Sequence, residues 1–136
     1  MNKLITLVAT ALLIIGAGTA KAQDNVNIGK SNIKLNSRMM TPEALWAMGR
    51  IGGVAASPNG SQVVYQVGYY SVKQNKGHQV ICIMNADGSH QRQLTTSSKS
   101  ETDPVWLNAE TIAFNCGGEI WTMKADGSDR QQLTKT

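Results

Sequence analysis

Cysteine is scarce in this sequence of 136 residues, which contains only Cys82 and Cys116. Two cysteines are too few for the disulfide framework of a small secreted domain. Together with two isolated histidines they also offer too few ligands for a metal centre, and we predict neither a metal site nor a cofactor. Each cysteine falls in a strand-like segment. We therefore interpret both as small buried hydrophobic side chains, with a disulfide as the alternative.

A basic run is absent as well. The sequence has 13 Lys and Arg against 9 Asp and Glu, which gives a net charge of +4. The basic residues are scattered along the chain and form no stripe, and this argues against a nucleic-acid partner. A mildly basic, solvated surface is the interpretation that we favour.

Catalytic patterns are missing too. The sequence contains no G-x-S-x-G nucleophile elbow and no phosphate-binding glycine loop. His78 and His90 lie in or beside predicted turns without an adjacent nucleophile, and we expect both to be solvated. The segment 85–88 resembles the start of a calcium loop. However, the twelve-residue frame from Ile83 ends on Leu94 instead of glutamate, which excludes an EF-hand. We assign no catalytic and no substrate-binding residue.

The N-terminus has the pattern of a secretory signal peptide. A basic Lys3 precedes the apolar run 4–15, and Ala20-Lys21-Ala22 is a small-x-small cleavage site. We predict cleavage between Ala22 and Gln23, and an exported protein that is periplasmic or secreted and has no membrane contact after cleavage. The alternative is a transmembrane anchor, but the run is shorter than the roughly 18 residues that a span needs.

One stretch of the chain is repeated. Ala86-Asp87-Gly88-Ser89, followed by Gln93-Leu94-Thr95, returns 39 residues later as Ala125-Asp126-Gly127-Ser128 and Gln132-Leu133-Thr134. A period near 40, with an apolar run before the turn and a short polar one after it, is typical of a β-propeller blade. Asp-Gly between two strand-like runs also predicts a hairpin turn, because glycine supplies the positive φ that such a turn demands.

The predicted fold class is all-β: two four-stranded antiparallel blades of an incomplete, TolB-like β-propeller, after a signal peptide and a short helix. The predicted boundaries are 1–22 for the signal peptide, 23–40 for a flexible leader, 41–50 for the helix, 51–96 for the first blade and 103–134 for the second. We expect Gly49 and Gly52-Gly53 to end the helix, and Trp46 is a candidate docking residue.

The first blade contains an insertion at 68–77. Loops that lengthen on one blade are places where binding surfaces arise, so Tyr69 and Tyr70 are candidates for contact with a partner or neighbouring domain. A solvated loop in which the tyrosines extend a hairpin is the alternative. Propellers have about 4–8 blades, so we expect further blades and any catalytic domain to lie after Thr136.

A family resemblance rests on the first blade and on the helix before it. Thr41-Pro42-Glu43-Ala44-Leu45, Arg50-Ile51, Ala56-Ser57-Pro58-Asn59-Gly60 and Val63-Val64-Tyr65 resemble the opening of exported serine peptidases of the prolyl oligopeptidase family. The dipeptidyl-peptidase and acylaminoacyl-peptidase branch is the most similar. Asn59 replaces the usual aspartate, which a turn tolerates.

The resemblance implies a propeller that gates the access of short peptides to a C-terminal α/β-hydrolase domain carrying serine, aspartate and histidine. None of those three residues maps onto this chain, which we expect to be inactive alone. The implied partner is a peptide substrate, and a homo-oligomer of the full-length protein is left open. The repeat alone also fits a non-catalytic TolB-like periplasmic propeller that binds protein or envelope partners. A gene remnant without function is the third alternative.

Overall fold

The computed structural model describes residues 28–36 and 38–136. The predicted signal peptide, with its cleavage site between Ala22 and Gln23, lies outside the described residues. In the described part of the chain, no helix is long and apolar enough to cross a membrane. The elements are α1 (Pro42–Ala47), β1 (Arg50–Ala56), β2 (Gln62–Ser71), β3 (Lys76–Asn85), β4 (Arg92–Gln93), β5 (Glu101–Trp106), β6 (Thr111–Cys116), β7 (Glu119–Lys124) and β8 (Gln131–Gln132).

The strands form two four-stranded sheets, and each strand pairs antiparallel with the next one along the chain. The first sheet has the order β1-β2-β3-β4 and the second β5-β6-β7-β8. The central strands are rich in β-branched and aromatic residues, which favour a pleated, half-buried surface. The predicted fold class, two consecutive four-stranded antiparallel blades, is confirmed.

The helix is short and well capped. Thr41 Oγ1 accepts a hydrogen bond of 3.2 Å from the Ala44 amide, and proline occupies the first helical position. The expectation that Gly52-Gly53 helps to end the helix is wrong, because the helix ends at Ala47 and both glycines lie within β1. They sit at a bulge where the β1–β2 register shifts between Ile51 and Val54. A Cβ on Gly52 would lie 2.8 Å from Nε2 of Gln66, so a larger residue here requires the end of that side chain to move.

The insertion at 68–77 extends a hairpin. β2 and β3 remain paired through Tyr69–His78 and Tyr70–Gly77 as far as Ser71–Lys76, and residues 72–75 form the turn. The equivalent hairpin of the second sheet closes much earlier, at Gly117-Gly118. The tyrosines therefore lie on hairpin strands, which agrees with the alternative interpretation of this segment.

The second sheet begins earlier than predicted. Its first strand starts at Glu101, two residues before the predicted boundary at 103. The register of β5 against β6 shifts between Thr102 and Val105, and Asp103 in this bulge has a φ of 55°. In this bulge two residues of β5 lie opposite one residue of β6. The alternation of inward and outward side chains that would have indicated a strand is therefore interrupted.

The two sheets pack face to face around one shared core. The first sheet contributes Val64, Ile81 and Ile83, and the second contributes Ile112, Phe114, Cys116 and Met123. Ala55, Leu94, Trp106, Trp121 and Ala125 close the margin of this core. Because side chains alternate along a strand, one face of each sheet packs in this core.

The repeated turns have the same geometry in both sheets. The carboxylate of Asp87 accepts hydrogen bonds from the backbone amide and the hydroxyl of Ser89, and Asp126 does the same with Ser128. The hydroxyl hydrogen bond is the largest cause that lowers the pKa of each aspartate, followed by the backbone hydrogen bond. The sequence repeat is therefore a repeat of local structure.

Candidate functional site

The described residues contain no group of three or more His, Cys, Asp or Glu side chains able to hold a metal ion. His90 is exposed, as predicted. The prediction that His78 is solvated is wrong: it lies in β3 and is buried, with Nε2 3.0 Å from the carbonyl oxygen of Ser97. The connector from the first sheet to the second passes beside this half of β3, and an analysis of local turns could not have predicted that passage.

Both cysteines are buried and neither forms a disulfide. Burial raises the pKa of the Cys82 thiol, which keeps it protonated and weakly nucleophilic. Cys116 lies in the shared core. The interpretation of both residues as buried hydrophobic side chains is confirmed, and neither is a candidate nucleophile.

Two of the residues predicted to make contacts lie together on the surface. The ring of Trp46, in α1, lies 4.9 Å from the ring of Tyr70, in the extended hairpin, with the ring planes tilted by 40°. The Arg50 guanidinium lies 4.8 Å from the Trp46 ring centroid, within the range of a cation–π interaction. The Tyr70 hydroxyl is hydrogen-bonded to Asn75 at the hairpin turn. These contacts attach the helix to the extended hairpin.

Tyr69 faces the other way from Tyr70. It packs with Tyr65 against the smaller core of the first sheet, which is formed by Val67, Val80 and Cys82. Burial raises the pKa of both Tyr65 and Tyr69. Tyr70, and not Tyr69, therefore remains the candidate contact residue of the pair.

Sequence reasoning missed a buried ion pair in the second sheet. Glu101, at the start of β5, is fully buried, and its Oε1 lies 2.5 Å from a terminal nitrogen of Arg130. The Arg130 guanidinium lies 5.0 Å from the ring centroids of both Phe114 and Trp121, and 3.5 Å from the Cys116 sulfur. The arginine, which directly precedes the outer strand β8, thus reaches across the sheet to its inner strand and neutralises a buried carboxylate.

The first sheet has no such pair. Register and repeat place Ile51 where the second sheet has Glu101, and Gln91 where it has Arg130. Both positions differ together, as expected for two groups that are useful only as a pair. No local pattern signals this arrangement. The only available signal was the coordinated difference between the two repeats.

Hydrogen bonds from three residues join the sheets outside the core. The indole N–H of Trp106 donates to the Ala55 carbonyl at 3.1 Å, and the amide of Asp103 donates to Gln66 Oε1 at 2.9 Å. Arg92 donates to the carbonyls of residues 125 and 126, in the repeated turn of the second sheet. The sheets are therefore docked at the inner strand, the middle and the outer edge.

Two consecutive four-stranded antiparallel sheets, stacked face to face and built from a sequence repeat, define the chain as part of a β-propeller. Among solved structures, the Pyrococcus horikoshii acylaminoacyl peptidase matches with a TM-score of 0.54 and 14% identity, over 68% of this chain and 15% of that one. An oligogalacturonate lyase in complex with manganese matches with a TM-score of 0.50 and 12% identity, over 62% of this chain and 28% of that one. At these identities the likeness concerns the fold alone.

Sequence comparison identifies the relatives. The chain is 34% identical to dipeptidyl-peptidase 5 of Porphyromonas endodontalis over 97% of its length, and 34% identical to that of Porphyromonas gingivalis over 88%. The matches span 19% and 17% of those proteins. No protein-family model matches the sequence. The chain is therefore a homologue of a segment of dipeptidyl-peptidase 5, and the resemblance to the dipeptidyl- and acylaminoacyl-peptidases is confirmed.

Proposed function

We propose that this chain is the N-terminal β-propeller portion of an exported serine exopeptidase of the dipeptidyl-peptidase type. In this proposal the propeller gates the access of short peptides to an α/β-hydrolase domain that carries the catalytic serine, aspartate and histidine. The observation that carries the proposal is the 34% identity to dipeptidyl-peptidase 5 over 97% of the chain. The protein acts in the periplasm or outside the cell, on peptide substrates.

The two sheets support a gating role. Their docking is fixed by a shared core and by hydrogen bonds at Trp106, Asp103 and Arg92, so the pair forms a stiff wall. The inner strands β1 and β5 each carry a bulge, and the glycines in β1 leave that strand with little side-chain bulk. A rigid wall whose inner strand β1 carries little side-chain bulk suits a channel that admits extended peptides and excludes folded proteins.

A non-catalytic propeller that binds protein or envelope partners is the second candidate. The exposed cluster of Trp46, Tyr70 and Arg50 favours it, because aromatic residues and arginine are enriched at protein interfaces. Trp46 and Tyr70 lie in the helix and in the insertion, which have no counterpart in the second sheet. Replacing Trp46 and Tyr70 by alanine should abolish partner capture if this function is the correct one, and should leave peptidase activity intact if it is not.

The decisive experiment is to read the gene past Thr136 and to assay its complete product on dipeptidyl chromogenic substrates. We expect a G-x-S-x-G motif followed by aspartate and histidine, and hydrolysis that is lost when the motif serine is replaced by alanine. The 136-residue chain alone should show no turnover. A reading frame without the motif, or a complete product that cleaves no dipeptidyl substrate, would refute the peptidase proposal.

Export is tested separately. Fractionation of cells that express the complete product should recover it outside the cytoplasm, with Gln23 as its first residue. Replacing Ala20 and Ala22 by bulky residues should block this processing. An intact N-terminus in the cytoplasmic fraction would contradict export and leave the catalytic proposal standing.

A further inference from the structure

One of three similar turns in the structure carries an amide where the other two carry a carboxylate. The turns are Asn-Gly-Ser at 59–61, between β1 and β2, and the repeated Asp-Gly-Ser turns at 87–89 and 126–128. Asn59 Oδ1 accepts hydrogen bonds from the Ser61 amide at 3.1 Å and from the Ser61 hydroxyl at 2.7 Å. Asp87 and Asp126 accept the same two hydrogen bonds from the serine two residues later. The amide of Asn59 therefore occupies a position that elsewhere in this chain holds an anion.

The amide oxygen of Asn59 has a third donor, the Ser57 hydroxyl, at 2.7 Å. Ser57 is buried, and its oxygen accepts the Gln62 amide at 2.9 Å, so the position of the hydroxyl is fixed. Three donors around one carbonyl-type oxygen stabilise the negative charge that develops there during nucleophilic attack, as in an oxyanion hole. Attack on the Cγ carbon of Asn59 develops such a charge on Oδ1.

The backbone nitrogen of Gly60 is the nucleophile within reach of this carbon. Among the asparagines of the sequence, only Asn59 is followed by glycine. A Cβ on Gly60 would meet no atom of the described residues within 4 Å, so the nitrogen lies in an open turn without side-chain hindrance. Asn59 and Gly60 are exposed, and water reaches both. The Gly60 amide donates to the Ser57 carbonyl at 2.8 Å, and this hydrogen bond opens before the nitrogen attacks.

We propose that Asn59 is a self-modification site, at which the folded chain converts a side-chain amide into a carboxylate with water as the only co-reactant. The Gly60 nitrogen gives its proton to the solvent and forms a bond to Asn59 Cγ. The side-chain nitrogen takes up a proton from the solvent and leaves as ammonia. Water then opens the cyclic succinimide: breaking the new Cγ–N bond leaves aspartate, and breaking the original peptide bond leaves isoaspartate. The proposal does not depend on peptidase activity.

The two aspartate turns explain why the product fits and why they do not react themselves. A carboxylate accepts hydrogen bonds more strongly than an amide does, so the donors that surround Asn59 also suit the product. The same hydrogen bonds lower the pKa of Asp87 and Asp126, with the serine hydroxyl as the largest cause. Both carboxylates are therefore ionised at neutral pH. An ionised carboxylate resists the attack, because its oxygen has no proton with which to leave as water.

The test follows the amide at position 59 over time. The original chain, Ser61→Ala and Asn59→Gln are incubated in mildly alkaline buffer, and the amide and acid forms of the peptide that contains residue 59 are quantified by mass spectrometry. We expect the acid form to accumulate in the original chain and not in Asn59→Gln, whose longer side chain does not form the same ring. In Ser61→Ala it should form about two- to ten-fold more slowly, which is the range that one hydrogen bond accounts for.

Asn108 is the internal control in each chain. It is exposed, and its Oδ1 accepts hydrogen bonds of 2.9 Å from the backbone amides of Glu110 and Thr111. However, the next residue is Ala109, and no hydroxyl donates to this oxygen in the described part of the chain. Asn108 should therefore keep its amide while Asn59 loses its own.

Two results would overturn the proposal. The first is an amide that persists at position 59 of the original chain. The second is a Ser61→Ala chain that is modified as fast as the original chain or faster, which would show that the turn does not promote the attack. Circular dichroism before and after the incubation checks that both chains remain folded.

The substitution Asn59→Asp measures the product directly. This variant should unfold at the same urea midpoint as the original chain or at a higher one, because the donors around residue 59 then bind a carboxylate. It should also elute from an ion-exchange column with the acid form that accumulates in the original chain. A clearly lower midpoint would show that the turn does not accept a carboxylate, and would contradict the proposal.

Discussion

At the scale of single residues, the least expected feature is the carboxylate of Glu101 inside the core. A buried ion pair stabilises little relative to apolar residues, but removing one partner leaves an uncompensated charge. Arg130 supplies the matching charge and stacks on Phe114 and Trp121. The pair therefore specifies how the outer strand lies over the second sheet.

A double-mutant cycle tests this pair. Arg130→Met should lower the free energy of unfolding by about 3–5 kcal/mol, because Glu101 then has no cation beside it. Adding Glu101→Leu should recover most of this loss, since no charge is left in the core. Urea unfolding of the four proteins measures the coupling. The exposed Lys135→Met is the control and should change little; two additive losses would show that the pair has no coupling.

The turn aspartates predict a pH dependence. The pKa of Asp126 is lowered from 3.8, first by the hydrogen bond from the Ser128 hydroxyl. A lowered folded pKa gives stability that is present above the unfolded value and is lost as the pH falls through the folded one.

Ser128→Ala should therefore raise the pKa of Asp126 towards 3.8, and it should flatten the acid limb of stability below that pH. NMR titration of the carboxyl carbon measures the change. Ser98→Ala, in the exposed connector, should leave the titration of Asp126 unchanged. An unchanged pKa in Ser128→Ala would show that the Ser128 hydroxyl does not lower it.

At the scale of elements, the sequence predicted strands and turns wherever local chemistry decides them. Asp-Gly fixed both turns, and the apolar stretch around Ile81 fixed β3. The prediction failed where contacts between residues far apart in the sequence decide the structure. Gly52-Gly53 had helix-ending character, yet the pair lies in a bulge of β1, which pairs with β2.

The residues of the candidate site were also predicted where local sequence decides and missed where distant contacts decide. Tyr70 was identified because it lies in the insertion of the first blade, and Trp46 because it lies in the helix before that blade; the structure places the two rings together. Glu101 and Arg130 were missed because they are 29 residues apart and belong to no motif. His78 contacts the carbonyl of Ser97, which lies 19 residues away in the connector between the sheets, and no local pattern predicts that contact.

The repeated glycines test how one element touches the next sheet. Gly88 and Gly127 have φ values of 84° and 88°, where an L-residue is strained by about 1–2 kcal/mol. A Cβ on Gly127 would also lie 3.4 Å from the Leu94 carbonyl of the first sheet, whereas one on Gly88 meets nothing within 4 Å. Gly127→Ala should therefore destabilise more than Gly88→Ala in thermal unfolding.

The comparison has an internal control. Gly68→Ala, in β2, brings its Cβ to 3.7 Å from its neighbours without a positive φ, and it should cost less than either turn substitution. Equal losses of thermal stability in Gly88→Ala and Gly127→Ala would mean that the contact of the second turn with the first sheet does not affect stability.

At the scale of the whole molecule, the two sheets share one core and should unfold together. Ile83, which is 1% exposed, packs in the core that Ile112 and Phe114 complete from the other sheet. Ile83→Ala removes three carbons from this core and should lower the free energy of unfolding by about 2–5 kcal/mol. If the core couples the sheets, the amides of β6 and β7 should lose hydrogen-exchange protection by the same amount as those of β2 and β3.

The exposed Val72→Ala at the hairpin turn should leave protection in both sheets unchanged. Loss of protection confined to the first sheet in Ile83→Ala would instead show two independent folding units. The distinction matters for the gating proposal, because a wall that excludes folded proteins needs two sheets that stay packed on each other. A coupled loss across both sheets is therefore the physical condition that the gating proposal requires of this chain.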